Sequence, residues 1–537
     1  ARNRHISFKT LHYGEIISAL PPGASLKTRP AAVRLMDEGK RMNSQDFRRE
    51  ALEASDLLDE VLALRAAVLE ASVPLIAAFA GKERAPADPA VANLAHYLCL
   101  RHHDLRPLQR RLMCLGLSSL GRLESRVLPT LDAVIVALSA LSGRERPLPM
   151  PSQAEFFGGE TRLENAATAL FGAAPTTRRT RIMVTLPSEA AEGPDLILDL
   201  VRRGMDVARI NCAHDGPDAW RAMAGFARAA AAQTGRNVSV LMDIAGPKIR
   251  TAAVALPDKK ARLEAGDRIR LVASGEPRTC ADVVYSAGVS LPEMVTRLTV
   301  GDRVRYDDGK LEAVVESLGD GEAVIRVERT KARGTKLKPE KGINLPDTAL
   351  GLSPLTAKDV IDLVTVIECA DMIGYSFVSR PEDIDLLDSM LEQHGMADRT
   401  LGLIAKIEQP EAVRNLPALI ARARRRGPFG VMIARGDLAA EIGFERLAEM
   451  QEEILWISEA ASVPAVWATQ VLEDLVREGI PTRGEMTDAA MAARAECVML
   501  NKGPAVGQAV ELLDRLLARM DEHMFKKTPT LRALKSW

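Results

Sequence analysis

Three things are scarce in this sequence: net charge, cysteine and a secretory leader. Its 71 Lys and Arg stand against 72 Asp and Glu, a formal charge of −1. That balance gives no reason to expect nucleic acid or an anionic membrane as a partner. The six cysteines, Cys99, Cys114, Cys212, Cys280, Cys369 and Cys497, are scattered and never form CxxC. The spacing argues against a disulfide framework or a zinc site and for reduced, cytoplasmic thiols. The opening segment ARNRHISFKT lacks the apolar core of a signal peptide. No stretch reads as the roughly 20 apolar residues of a membrane helix.

What is present is a long, ordinary soluble composition. With 537 residues, 47% hydrophobic and 27% charged, the chain should hold two or three domains. Residues 1–150 read as an α-helical domain, because FRREALEASDLLDEVLALRAAVLEA (47–71) repeats apolar residues at 3–4 spacing. The segment GRERPLPMPS (143–152) is rich in Pro and charge, and 151–179 is expected to be a linker. From about residue 180 the rhythm changes to short apolar runs, each followed by a helical pattern. Eight such runs occur: RIMVTL, VARINCA, SVLMDIAG, DMIGYSFV, LGLIAKIE, FGVMIARG, VPAVWATQ and ECVMLNKG. Most start 26 to 34 residues apart, room for a strand, a crossover helix and two loops. The expected fold is therefore α/β, a (β/α)8 barrel over 180–251 and 341–520. Between its third and fourth runs, residues 252–340 alternate apolar and polar with DG and GDG turns. They read as a small inserted β-barrel domain, and 521–537 as a C-terminal tail.

In such a barrel, chemistry sits at the C-terminal ends of the strands. The second run ends in Arg209, Asn211 and His214; the third gives Asp243, Lys248 and Arg250. The fifth ends in Lys406 and Glu408, the sixth in Gly436 and Asp437, the seventh in Thr469. Lys406 and Glu408 are two apart, so on a strand they share a face. Glu408 and Asp437 suit a hard divalent ion, with substrate oxygens completing the shell. Arg209, Arg250 and Lys406 supply positive charge for phosphoryl oxygens. The stretch ARGDLAAEI reads as a strand-to-helix turn whose free N–H groups suit a carboxylate.

The blocks ARINCAH, DIAGPKIRT, KGINLP, AKIEQPEAV, IARGDLAAEI, WATQVLE and PTRGEMTDAA resemble those of the pyruvate kinase family, in that family's order. The resemblance runs from about 180 to 500 and includes the insert with VGDRVRYDDG. It implies transfer of the phosphoryl group of phosphoenolpyruvate to ADP, giving pyruvate and ATP. It makes Lys406 the residue that neutralises the phosphoryl group in flight and Arg209 a phosphoryl contact. Glu408 and Asp437 become ligands of Mg2+, with Mn2+ as a substitute. The backbone at Gly436 and Asp437 becomes the seat of the substrate carboxylate. Thr469 falls near the methylene carbon that is protonated. His214, Arg250 and Lys341 fall at positions facing the nucleotide, and Asp308 on the insert at one that closes over it.

Departures from the family pattern carry expectations of their own. Its K+ site, an Asn, a Ser, an Asp and a Thr, reads here Asn211, Ala213, Asp243 and Ile244. GPKIR places Lys248 where K+-dependent members have Glu. The expectation is an internal ammonium beside Asn211 and Asp243, and no need for K+. The stretches TLPSEA and NKGPAVGQ replace the family's TIGPAS-like and SGET-like segments. The chain stops about 35 residues after the eighth run, short of the family's C-terminal domain. Sugar-phosphate activation through the usual site is therefore not expected, and any homo-oligomer would not use that domain's interface. Two other readings compete: another Mg2+–enolate enzyme acting on pyruvate-like acids, and a non-catalytic sensor of phosphoenolpyruvate or nucleotide. Arg250, Lys341 and the insert oppose the first, since a lyase needs no nucleotide clamp; retention of Lys406 and both carboxylates opposes the second.

Overall fold

The computed structural model describes residues 29–80, 88–348, 350–395 and 401–529, with side chains from Arg48 onward. Residues 1–28 of the expected helical domain and 530–537 of the expected tail lie outside them. Helices come first: α1 (Arg29–Ala80), α2 (Pro89–Arg101), α3 (Arg106–Cys114), α4 (Val127–Ser142) and α5 (Gln153–Phe171). Leu57, Leu58 and Val61 of α1 are buried in one apolar cluster with Leu94 of α2 and Leu131 and Ile135 of α4. By length and composition, the Arg48–Ala80 part of α1 would suffice to cross a membrane, unlike the expectation from sequence. Here its apolar stripe packs against α2 and α4.

The eight apolar runs form a closed parallel barrel. Its strands are β1 (Arg181–Thr185), β2 (Val207–Asn211) and β3 (Ser239–Ile244), then, after the insert, β11 (Met372–Tyr375), β12 (Gly402–Ile407), β13 (Phe429–Ala434), β14 (Ala465–Ala468) and β15 (Cys497–Leu500). Each is buried along nearly its whole length, as a strand covered on both faces must be. Around them lie α6 (Asp195–Arg203), α7 (Pro217–Thr234), α9 (Ala357–Cys369), α10 (Pro381–Gln393), α11 (Pro410–Ala423), α13 (Phe444–Ala460), α15 (Arg483–Ala492) and α16 (Val506–Asp521). The short α12 (Arg435–Ile442) and α14 (Glu473–Glu478) occupy loops at the strands' C-terminal ends, and α8 (Glu293–Arg297) belongs to the insert.

The insert leaves the barrel after β3, on the face where the strands end. It is a curled seven-stranded sheet of β4 (Thr251–Ala255), β5 (Arg268–Val272), β6 (Tyr285–Val289), β7 (Arg303–Tyr306), β8 (Leu311–Gly319), β9 (Glu322–Thr330) and β10 (Ile343–Asn344), in spatial order β10-β7-β8-β9-β5-β6-β4. Its core is separate, built on Ile269, Leu271, Val304, Val315 and Ile325. The outgoing and returning chains are zipped together where they cross. Thr251 N donates to Lys341 O at 2.9 Å, Glu340 N donates to Thr251 O at 2.8 Å, and Arg250 bridges to Gly342.

The expected linker at 151–179 is mostly helix. Ser152 and Glu155 form a reciprocal capping box that starts α5, and Gly172 follows its last residue. The helix ends beneath the barrel, where Ala167, Leu170 and Phe171 join Met183, Val207 and Leu241 in an apolar plug. A Cβ at Gly402 or Gly430 would stand 2.7 or 2.6 Å from the Leu170 methyls, so these two strand residues make room for the plug. At the other terminus the expected tail folds as a hairpin of β16 (Met524–Phe525) and β17 (Thr528–Pro529).

Candidate active site

β12 delivers Lys406 and Glu408 to one face, and their side chains meet, Nζ to Oε1, at 2.8 Å. Lys406 Nζ also donates to Ser376 Oγ at 2.8 Å and lies 3.5 Å from Asp243 Oδ1. Arg209 on β2 reaches the same Asp243 carboxylate, its Nε donating at 3.0 Å, and donates to Thr185 Oγ1 at 2.9 Å. A side chain at position 374 would intrude here, because a Cβ on Gly374 would lie 2.7 Å from Asp243 Oδ1. Burial opposes charge on both Lys406 and Asp243, yet each remains ionised. Asp243 and Glu408 hold the Lys406 ammonium above its usual range, and Lys406 and Arg209 hold the Asp243 carboxyl below its own.

Asp437 sits in the first turn of α12, which opens directly off β13. Its neighbour Gly436 donates its backbone N–H to Thr469 Oγ1 at 2.8 Å, so the start of α12 and Thr469 lie side by side. Thr469 has a φ of +62°, a strained value for a β-branched residue. Arg435 clamps this corner by donating to Ala468 O at 2.8 Å, to Thr469 O at 2.6 Å and to Asp488. Glu408 is only 2% exposed, and its Oε2 accepts from Phe377 N at 2.7 Å. Burial and the negative charge of Asp437 push the Glu408 carboxyl up, against the pull of Lys406.

That last relation tests the metal. Two close carboxylates, one of them reluctant to ionise, are what a shared divalent cation would relieve. Among the described residues no group of three or more His, Cys, Asp or Glu offers a ready-made cage. Mg2+ needs none, since one or two carboxylates with waters and substrate oxygens suffice. The donor set therefore fits a hard divalent ion completed by substrate.

Lys248 is not where the sequence placed it. Its ammonium lies 2.7 Å from Asp437 Oδ1 and 3.9 Å from Asp308 Oδ1, away from Asn211 and Asp243. The negative charge of Asp243 is already claimed by Arg209 and Lys406, which leaves Asp437 as the carboxylate for Lys248. Asn211 Oδ1 instead accepts from Ala213 N at 3.1 Å, capping the loop after β2. Asp308 stands exposed at the tip of the insert, in a turn where Asp307 and Asp308 both have positive φ. Lys341 pairs with Asp307 at 3.3 Å. His214 lies at the rim, where burial and then the nearby Lys502 and Arg250 lower its pKa. Arg250 itself donates to Glu340 O at 3.1 Å, where the outgoing and returning chains cross.

Several working residues escaped the sequence reading. Ser376 supports Lys406, Lys502 adds charge at the rim beside His214, and Asn344 and Glu441 tie the insert's returning strand to α12. Asn344 Nδ2 donates to Glu441 Oε1 at 2.9 Å, and burial pushes the Glu441 carboxyl up to about 6 against that bond. The signal for Ser376 was present in the fourth run, whose polar end at Ser376 parallels the others.

A closed parallel barrel with buried cations and carboxylates converging at its strand ends, under an inserted β domain, defines a barrel enzyme of phosphoryl chemistry. The family model described as pyruvate kinase, barrel domain, matches residues 177–511. The chain belongs to the pyruvate kinase family. It is 31% identical over 360 residues to the pyruvate kinase of Mycobacterium tuberculosis, covering 66% of this chain and 72% of that one. It is 33% identical over 347 residues to that of Corynebacterium glutamicum, covering 64% and 69%. A crystal structure of a pyruvate kinase from Cryptosporidium parvum superposes with a TM-score of 0.57 at 27% identity, covering 67% of this chain and 71% of that one.

Proposed function

We propose that this enzyme transfers the phosphoryl group of phosphoenolpyruvate to ADP with Mg2+ and without K+. The supporting observation is Lys406: a buried ammonium fixed by Glu408, Asp243 and Ser376 at the end of a barrel strand. In the reaction the ester O–P bond breaks, a bond forms from phosphorus to the ADP β-phosphate oxygen, and the enolate takes a proton at its methylene carbon. Positioning and charge neutralisation supply most of such catalysis. Lys406 and Arg209 face the phosphoryl group and offset its charge. The start of α12, at Gly436 and Asp437, receives the substrate carboxylate, and Thr469 beside it borders the carbon that is protonated. His214, Arg250 and Lys502 meet the nucleotide phosphates. Glu408 and Asp437 would hold a divalent cation, which would supply Lewis-acid neutralisation of phosphoryl charge. A coupled assay for pyruvate from phosphoenolpyruvate, with and without ADP, tests this; ADP-independent release of pyruvate would point to another reaction.

The same corner supports independence from K+. Ala213 and Ile244 offer hydrocarbon where oxygen ligands would be needed, and Ile244 is fully buried. Asp243, the remaining anion, already faces two cations. Activity should persist in K+-free buffer with tetramethylammonium holding ionic strength. A large fall that K+ restores would defeat this reading.

A further inference from the structure

Lys248 ties together three parts of the molecule. It leaves the barrel after β3, immediately before the insert. Its stem passes over Gly342 on the returning strand, so closely that a Cβ there would lie 2.9 Å from Lys248 Cε. Its ammonium ends between Asp437 of α12 and Asp308 at the insert tip, at 2.7 and 3.9 Å. The insert grips the same short helix elsewhere. Arg305 NH1 donates to Ala440 O at 2.8 Å and Ala439 O at 3.2 Å, and Asn344 donates to Glu441. The contacts of Arg305 and Asn344, like that of Lys248 with Asp437, land on α12, the helix that carries Asp437.

With the Lys248 ammonium 2.7 Å from Asp437 Oδ1, a divalent cation arriving at that oxygen meets its repulsion. Lys248 also has somewhere to go. It borders a cleft of about 740 Å³ between the insert's return segment and helices α10 and α11, and its side chain is 23% exposed. Asp308 offers it a second carboxylate at the edge of its present reach.

We propose that Lys248 is a movable counter-charge that competes with the divalent cation for Asp437 and, once displaced, draws Asp308 and the insert tip onto the barrel. Cation affinity and the position of the insert are thereby coupled through one side chain. Gly342 is the residue that lets the stem reach. The inference rests on the assignment of Glu408 and Asp437 as cation ligands, and that assignment is checked separately below.

The test measures cation binding, not turnover. Mn2+ is titrated into the full chain without substrate and free Mn2+ is read by electron paramagnetic resonance. Lys248→Met should bind Mn2+ at least about tenfold more tightly, because a cation has been removed from beside the ligand. Gly342→Ala should shift affinity the same way with Lys248 still present, since the new methyl meets only the flexible end of that side chain. Hydrogen exchange over residues 305–311 should slow on Mn2+ addition in the wild type, and not in Lys248→Met or Asp308→Asn. Asp308→Asn should weaken Mn2+ binding by about threefold or more, because the carboxylate that receives the displaced Lys248 is gone and the coupling is reciprocal. Unchanged or weaker Mn2+ binding in both Lys248→Met and Gly342→Ala would overturn the proposal, as would an undiminished exchange response at the tip. Asp437→Asn and Glu408→Gln serve as controls: if neither weakens Mn2+ binding, the ligand assignment itself has failed, and that result is distinct from the others.

Discussion

At the C-terminal ends of the strands, Arg209, Lys406 and Lys248 face Asp243, Glu408 and Asp437, charge for charge. At the N-terminal ends, Lys526 and Lys527 face Glu124, Glu459 and Glu496, and one carboxylate is left over. The upper cluster lies beneath the insert and borders open clefts. The lower one is a seam, closed by the C-terminal hairpin. Lys526 pairs with Glu496 and donates to Arg494 O at 3.0 Å, while Lys527 pairs with Glu124 of the helical domain and lies 4.8 Å over the Trp456 ring. The surplus at the seam is met by a proton: burial, then Glu124 and Glu496 against Lys526 and Lys527, push the Glu459 carboxyl up to about 7. Similar residues thus serve two ends. Where balanced charges remain within reach of a ligand they can be exchanged for its charges; where they are sealed they fasten domains together.

The sharpest way to break this contrast is Lys406→Met. It should lower kcat by about a hundred- to a thousand-fold, the usual loss for an electrostatic catalytic group, with the fold kept. Near-normal kcat would remove the upper cluster from catalysis. Glu408→Gln and Asp437→Asn should each raise the Mg2+ concentration for half-maximal rate by about tenfold or more, having lost one unit of charge from a hard-cation site. Wild-type Mg2+ dependence in both would do away with the metal assignment. At the seam the effects should fall on stability. Lys527→Met leaves the Glu124 carboxylate buried without its partner and should cost about 3 kcal/mol of unfolding free energy in denaturant titrations, with kcat kept. Equal stability would mean that the hairpin does not fasten the helical domain.

The smallest effect concerns pH. Glu459 is held above its unfolded value, so the stability it lends is complete below about pH 4.5 and is lost as pH rises through about 7. Glu459→Gln mimics the protonated form. Its melting temperature should match wild type near pH 5 and exceed it by a few degrees at pH 8. A difference that stays flat across that range would rule out titration of Glu459 at the seam.

How much of this was legible in the sequence depended on whether the cause was local. The eight strands were, because a strand buried on both faces must be a continuous apolar run, and RIMVTL or FGVMIARG could hardly be anything else at that spacing. The pairing of Lys406 with Glu408 was legible for the same reason, since strand geometry alone puts positions two apart on one face. Helix α5 was not, although the Ser152–Glu155 box was in plain sight. Prolines before it and Gly158 and Gly159 within it speak against a helix. Gly159 is there because α5 passes so close to α4's approach that a Cβ would lie 2.0 Å from Ser125 O. The partner of Lys248 was illegible for a stronger reason. Asp243 is five residues away in the chain and Asp437 is 189, yet the nearer carboxylate is filled by Arg209 and Lys406. Which cation takes which anion is settled by three-dimensional competition, and no local pattern records it.

Leu170 belongs to a segment that precedes the first barrel strand, yet it rests in the hollows of Gly402 and Gly430, more than two hundred positions later. The match to the family's barrel model begins at residue 177, beyond the end of α5. The span that similarity marks out and the span that can stand as a folded body are therefore different objects. A barrel cut at its homology border would surrender Leu170 and Phe171, and the floor of Met183, Val207 and Leu241 would be wetted. For anyone moving this barrel into another protein, the portable unit starts at Ser152, where the capping box begins the helix that seals it.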